Sequence, residues 1–376
     1  MAQLQTLFHR NLIGSLQFDD KDGQYFAQDG VGMTLVKPLQ MEDEMRWDNF
    51  VDASENGTIF HKIAWKRILE KTFRYRSCYF FAEKDGQICG VLPLFHTRSM
   101  FAGNAIISTP FAVYGGIVAD DEAAENALLE ACKAHALQIG ASYIELRQRF
   151  RCQNPGLQTR DSLYCTFIKP IHAETETTFA ELPREARRMV RKAEKIGLTT
   201  KVSEEGLADF YDIYATSVHS LGTPVFPRRL FENCLSELKP NADLLLIYHE
   251  NQPLAGVLSF YYRDTVLPYY GGSLPHKNNL APNNFMYWSL MKSAGERGYR
   301  FFDFGRSKNS TGAFDFKRHM GFDPLPLPYQ YWMMNGAPIP NNNPTNPKFQ
   351  LAIKVWQRMP LSLTKVLGPR LVRAFP

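Results

Sequence analysis

The chain lacks the strings that would commit it to several common enzyme classes. No G-x-S-x-G, H-E-x-x-H, P-loop or dinucleotide-type G-x-G-x-x-G string is present, which argues against a serine hydrolase, zinc protease, NTPase or dehydrogenase. Its six cysteines (Cys78, Cys89, Cys132, Cys152, Cys165, Cys234) are scattered, with no C-x-x-C pair and no histidine cluster beside them. Neither a zinc site nor a disulfide framework is expected, and no metal is assigned. No stretch approaches the ~20 apolar residues needed to cross a bilayer, and Met1 to Asp22 has no apolar core of the signal-peptide kind. A cytoplasmic protein is expected. Charge is also sparse in sum: a formal net charge of +5 over 376 residues does not make the surface a general polyanion binder, so basic groups have to be read locally.

What the sequence does contain is a duplication. Tyr79 to Ala82, a turn at Asp85-Gly86 and Gly90-Val91-Leu92 read as a β-hairpin, and so do Leu244 to Ile247, a turn near Asn251 and Gly256-Val257-Leu258. Tyr114-Gly115-Gly116 follows in one half and Tyr270-Gly271-Gly272 in the other. Each half then has a helical pattern closed by a glycine suited to a left-handed cap, Ala123 to Ile139 before Gly140 and Phe285 to Arg297 before Gly298. Short strands bearing a carboxylate come next, Tyr143 to Arg147 with Glu145 and Phe301 to Gly305 with Asp303. Two related α/β domains account for this order. The expected layout is an N-terminal extension over 1–30, a first domain over 31–168, a second over 169–336, and over 337–376 a Pro/Asn-rich linker with a basic amphipathic tail.

The order of hairpin, Tyr-Gly-Gly, helix and carboxylate-bearing strand resembles the GNAT acetyltransferase fold, and its tandem repetition resembles the Fem-type peptidyltransferases. Thr58 to His61 with Trp65, Gly90 to Leu94, Ser108 to Phe111, Arg191 to Lys195, Phe302 to Lys308 and Phe316-Lys317 are similar to strings of the Fem-related proteins associated with exosortase (PEP-CTERM) systems, as is the tail Trp356 to Leu361 with Leu367-Gly368-Pro369. The resemblance implies an α/β (α+β) fold of two tandem GNAT-like domains, mixed central sheets flanked by helices, and a helical C-terminal tail. It further implies an acyltransferase that passes an acyl or aminoacyl group to an amine of a cell-envelope or exopolysaccharide precursor. No bound cofactor is expected; the donor is left open between aminoacyl-tRNA and acyl-CoA. A conventional CoA-dependent N-acetyltransferase and a non-catalytic assembly protein stand as alternatives. The long heptad-patterned arm of some Fem enzymes is missing, which removes one tRNA contact.

The candidate site residues fall mainly in the second half. Asp120-Asp121-Glu122 enters the first-half helix and would cap it with carboxylates, so the first half is expected to be scaffold. The second-half loop has Lys277 and Asn283 and no acid, so a phosphorylated substrate could meet a free helix N-terminus there. Asp303 is a candidate proton acceptor. Arg306, Lys308 and Lys317 form a basic group, and Phe316-Lys317 matches the Phe-Lys pair whose lysine lines the substrate site in Fem-type enzymes. His61 and Trp65, four apart on an expected helix from Phe60 to Lys71, and Tyr114 and Tyr270 are read as cleft-lining. Over Pro183 to Gly197, Arg184, Arg188, Arg191 and Lys195 flank an amphipathic helix, a possible tRNA or pyrophosphate contact. The tail carries six basic residues and no acid; it is expected to pack on the second domain or to touch the anionic inner membrane face, close to a lipid-linked precursor.

Overall fold

The computed structural model describes residues 16–19, 24–29, 32–99, 103–339 and 347–376. Most of the N-terminal extension and the centre of the Pro/Asn-rich linker lie outside the described residues. The chain divides into two compact units, one of 1–160 with 328–340 and Pro376, the other of 161–327 with 341–375. The architecture is the mixed α/β one expected from the sequence.

In the first unit, β1 (Leu16–Asp19), β2 (Gln24–Asp29), β3 (Gly32–Pro38), β5 (Phe80–Lys84), β6 (Gln87–Leu92) and β9 (Val118–Ala119) form one sheet in the order β1-β2-β3-β5-β6-β9. The second sheet runs β11-β20-β10-β8-β7-β4, from β4 (Arg76–Ser77), β7 (Phe95–Ser99), β8 (Gly103–Ile107), β10 (Tyr143–Leu146), β11 (Gln158–Arg160) and β20 (Tyr329–Met333). Helices α1 (Glu44–Ala53), α2 (Ile63–Phe73) and α3 (Glu122–Gln138) belong to this unit. Ala124, Leu128, Ala131 and Cys132 of α3 pack into the same core as Phe80, Leu92 and Ile144.

The second unit has one sheet, β13-β14-β15-β16-β17-β12-β18, with β19 added on β12. The strands are β12 (Tyr164–Pro170), β13 (Thr199–Val202), β14 (Ala242–His249), β15 (Gln252–Tyr262), β16 (Thr265–Ser273), β17 (Phe301–Asp303), β18 (Ser307–Lys308) and β19 (Pro324–Pro326). Its helices are α4 (Thr175–Ala180), α5 (Arg184–Ile196), α6 (Leu207–Ser220), α7 (Arg228–Glu237), α8 (Pro282–Glu296), α9 (Gly312–His319), and the tail helices α10 (Pro347–Arg358) and α11 (Leu361–Arg373). The periodicity of α5 buries Ala186, Val190 and Ala193 against the α8 residues Met286, Met291 and Ala294. Both helix-ending glycines are left-handed, with φ of +65° at Gly140 and +89° at Gly298. The N–H groups of Ala141 and Tyr299 then reach back to the carbonyls of Ala136 and Ala294, a Schellman closure in each half.

Two expectations need correcting. Strand β12 was read into the first domain but pairs with β17 and β19, so the boundary moves back to about residue 160. Strand β20, read into the second domain, pairs with β10 and β11 of the first unit. The tail packs on the second unit: Trp356 Nε1 donates to Thr223 O at 3.2 Å, and Lys365 pairs with Asp212 of α6 at 2.5 Å. Among the described residues no helix is long and apolar enough to cross a membrane.

Candidate functional site

Strand β16 pairs with β15 along its length, from Thr265 to Ser273, but with β17 only at Thr265 and Val266. Among the described residues no strand pairs with the β17-facing side of β16 beyond Val266, and a register shift between Leu258 and Ser259 leaves Tyr269 as an extra residue. Such an opening presents backbone N–H and C=O groups to any extended ligand laid between the strands. Helix α8 points its N-terminus into the same region. It starts at Pro282 after the left-handed Ala281 and has no side-chain cap. Asn283 Nδ2 instead donates to Ser273 Oγ at 2.9 Å, clamping the helix start to the end of β16.

The loop after β17 is held from two sides. Asp303 accepts from Thr166 Oγ1 at 3.0 Å and from the Gly305 N–H at 2.8 Å. Lys317, on α9 and only 9% exposed, donates through Nζ to the carbonyls of Phe304 (2.9 Å), Gly305 (3.0 Å) and Arg306 (3.4 Å). Burial holds the Lys317 ammonium down to about 8, against the pull of Asp303. Gly305 takes the left-handed φ of +64° that lets the loop turn its carbonyls toward Lys317. Arg306 lies over the Tyr164 ring at 4.6 Å, and partial burial lowers the Lys308 pKa.

Helices α8 and α9 meet here. Tyr287 packs on Phe304 and Phe316 at 4.9 and 5.5 Å between centroids, and Asn284 Nδ2 contacts Met320 Sδ at 3.3 Å. A Cβ at Gly271 would lie 3.2 Å from the Tyr287 hydroxyl, so the glycine admits this ring. The hydroxyls of Tyr270 and Ser307 are buried without a hydrogen-bond partner among the described residues, an uncommon state for polar atoms in a native core. Tyr270 is walled by Tyr214, Phe226, Phe231 and Phe260, and is therefore an aromatic-core residue, not an open cleft wall. Lys277 is half-exposed on the 3₁₀ turn Pro275–Leu280.

The second unit thus contains Asp303, Arg306, Lys308 and Lys317 around one loop, with Tyr270 on β16, Lys277 on the β16–α8 connection and Asn283 in the first turn of α8. Tyr287, Ser307 and Thr166 were not singled out from the sequence. Gly271 is the signal for Tyr287; Thr166 gives none, because it reaches Asp303 across 137 residues of chain.

His61, Trp65 and Tyr114 belong to the first unit and serve its core. His61 sits in a 3₁₀ turn, Ile59–His61, and the extended Lys62 separates it from α2, so it does not share a helix face with Trp65. Trp65 is 0% exposed and meets Phe60 edge-on, and Tyr114 is buried beside Phe60. His61 Nε2 faces the Gly116 carbonyl at 3.1 Å, which can only accept, so this nitrogen carries the proton. Nδ1 then accepts from Thr58 Oγ1 at 2.8 Å and Thr58 N at 3.3 Å.

The corresponding segment of the first unit is built differently. Tyr114-Gly115-Gly116 is an irregular loop, and Val118 and Ala119, not Gly115 and Gly116, pair with Val91 and Gly90. A Cβ at Gly116 would meet Gln148 Oε1 at 1.8 Å, so that side chain fills the space. Asp121 caps α3 by accepting from Ala124 N at 2.8 Å, and Glu145 is taken by Arg147 at 2.9 Å.

Residues 181–318 match the model of a family described as "Acetyltransferase (GNAT) domain". Among solved structures the chain is similar to FemX, at 18% identity and a TM-score of 0.65, over 84% of this chain and 100% of that one. It is similar to the C-terminal domain (DUF2156) of a putative lysylphosphatidylglycerol synthetase from Agrobacterium fabrum, at 13% identity and a TM-score of 0.53, over 84% and 95% of the two chains. A tandem GNAT protein from the clavulanic acid biosynthesis pathway aligns at 8% identity and a TM-score of 0.52, over 81% and 99%. No curated protein matches the chain. The protein therefore has the tandem acetyltransferase fold, with a GNAT-type domain in its second half.

Proposed function

We propose that the second unit transfers an acyl or aminoacyl group to the amine of an anionic, lipid-linked or soluble precursor of the cell envelope or of an exopolysaccharide. The observation that carries this reading is the parting of β16 from β17 beside the uncapped start of α8. An extended donor, an acyl-CoA or the acylated end of a tRNA, would lie along β16 beyond its pairing with β17, with its phosphate at the helix N-terminus, where backbone N–H groups and the helix dipole favour negative charge. The neutral amine nitrogen attacks the donor carbonyl carbon. A C–N bond forms, the C–O or C–S bond to the donor breaks, and the amine proton leaves with the displaced oxygen or sulfur. Holding the two reactants in line lowers the barrier with no further chemical group. Lys317 and Asp303 act as positioning residues, since their polar atoms are engaged by the 304–306 loop. The first unit is scaffold. The resemblance to exosortase-associated Fem-related proteins supports an envelope or exopolysaccharide acceptor and work on the cytoplasmic side of the membrane. The exposed Arg184 and Lys195 of α5 offer charge for a tRNA or a pyrophosphate.

Asn284→Asp tests this reading. It places a carboxylate in the first turn of α8, as Glu122 and Glu125 do at α3, and favours the helix by about 0.5 kcal/mol. Donor affinity, followed by calorimetry, should fall about tenfold or more from charge repulsion at the phosphate site, with only a small change in melting temperature as the favourable helix charge offsets the lost Asn284–Met320 contact. Unchanged affinity for a donor that the wild type binds would refute the placement of its phosphate.

A further inference from the structure

We propose that the outer face of the two tail helices docks on an anionic lipid bilayer. Each helix turns one side toward α6 and the rest of the second unit. On α10 that side centres on Trp356, with Ile353 against Gly222, where a Cβ would come within 2.4 Å of it. On α11 it is Thr364, Gly368 and Val372, and a Cβ at Gly368 would come within 2.6 Å of the Val225 carbonyl oxygen. At 100° per residue the opposite side of α10 carries Leu351, Val355, Lys354 and Arg358, and that of α11 carries Leu363, Val366, Arg370 and Arg373.

Those outer faces are not what solvent selects. Leu351, Val355, Leu363 and Val366 are 67%, 53%, 44% and 61% exposed, whereas an ordinary solvated helix face is polar. The four charged residues among them are all exposed and all positive, and no acidic side chain occurs between Pro347 and Pro376. Apolar residues interleaved with cations suit a surface that offers hydrocarbon just beneath negative charge. The charge complementarity selects a bilayer of anionic lipid over a second copy of this chain, which would set cation against cation.

Co-sedimentation of the full chain with vesicles tests the proposal. Binding to phosphatidylglycerol-containing vesicles should exceed binding to pure phosphatidylcholine and should weaken as salt is raised. Each cation removed should cost about fivefold in partitioning, so the triple variant Lys354→Gln, Arg358→Gln, Arg370→Gln should lose about a hundredfold. The variant Leu351→Ser, Val355→Ser, Leu363→Ser, Val366→Ser should lose binding as well, with its circular dichroism and melting temperature little changed because those residues are already exposed. Equal sedimentation with both vesicle types, or either folded variant binding like the wild type, would overturn the proposal. So would a mass from light scattering that doubles with concentration in the wild type and not in the serine variant, which would assign the face to self-association.

Discussion

Lys317→Met is expected to lower the acyl-transfer rate by roughly a hundredfold or more while leaving the fold in place, because misplacing a reacting partner by about an ångström is that costly. Methionine keeps the length of the side chain and removes the ammonium. The carbonyls of Phe304, Gly305 and Arg306 then lose the donor that turns them inward, and the loop that borders the opening is released. Stability at neutral pH changes less than three lost hydrogen bonds suggest, since the variant also escapes the cost of burying a charge. The pH dependence separates these effects. Folding holds Lys317 at about 8, below its ordinary value of 10.5, so the unfolded chain binds more protons between those two pH values. Stability should rise with pH across that window by roughly 3 kcal/mol in the wild type, and this rise should be missing in Lys317→Met. Urea unfolding of both proteins at pH 7.5 and pH 10 measures the difference. Parallel pH profiles would show that Lys317 is not buried as an ammonium.

The first unit should lose stability in mild acid through His61. Burial pushes its pKa down to about 4 from 6.5, and the Gly116 carbonyl pulls weakly the other way. Protonation would put a hydrogen on Nδ1, where Thr58 already presents its own donors. The folded pKa lies below the unfolded one, so the stabilising effect of the neutral ring is complete above pH 6.5 and is lost as pH falls toward 4. The loss should be roughly 3 kcal/mol. His61→Phe pays a constant penalty for orphaning the Thr58 N–H and the Gly116 carbonyl and has no slope of this origin. Other carboxylates titrate in the same range, so the difference between the two proteins is the measurement. Identical pH dependence from 6.5 to 4 would contradict the assigned tautomer and burial.

Local patterns carried the sequence reading as far as local causes reach. The glycines at 140 and 298 ended their helices because only a left-handed residue closes a Schellman turn there without strain. The 3.6-residue spacing of Ala186, Val190 and Ala193 fixed the buried side of α5. Where pairing is remote, the string was silent or misleading. Two identical Tyr-Gly-Gly strings serve different ends: Gly271 admits the Tyr287 ring beside a strand, and Gly116 admits Gln148 beside a loop. The return of β20 to the first unit depends on partners more than 170 positions away, as Gln330 shows by accepting from the Cys152 N–H and donating to its carbonyl. Asp303 and Lys317 were legible as residues of interest, but their task of shaping a loop became visible only with Thr166 and the three carbonyls in place. The acidic entry to α3 and the carboxylate-free entry to α8 are legible as an asymmetry, and the structure adds the Asp121 cap on α3 and the lack of a side-chain cap on α8.

The central claim is that a donor lies between β16 and β17. Amide hydrogen exchange of the full chain, with and without acetyl-CoA and with and without aminoacyl-tRNA, tests it most directly. At least one donor should slow exchange at 267–273 and 304–308 and leave 112–122, the corresponding stretch of the first unit, unchanged. Protection by a donor confined to 112–122, or binding of a donor with no protection on β16, would contradict the account.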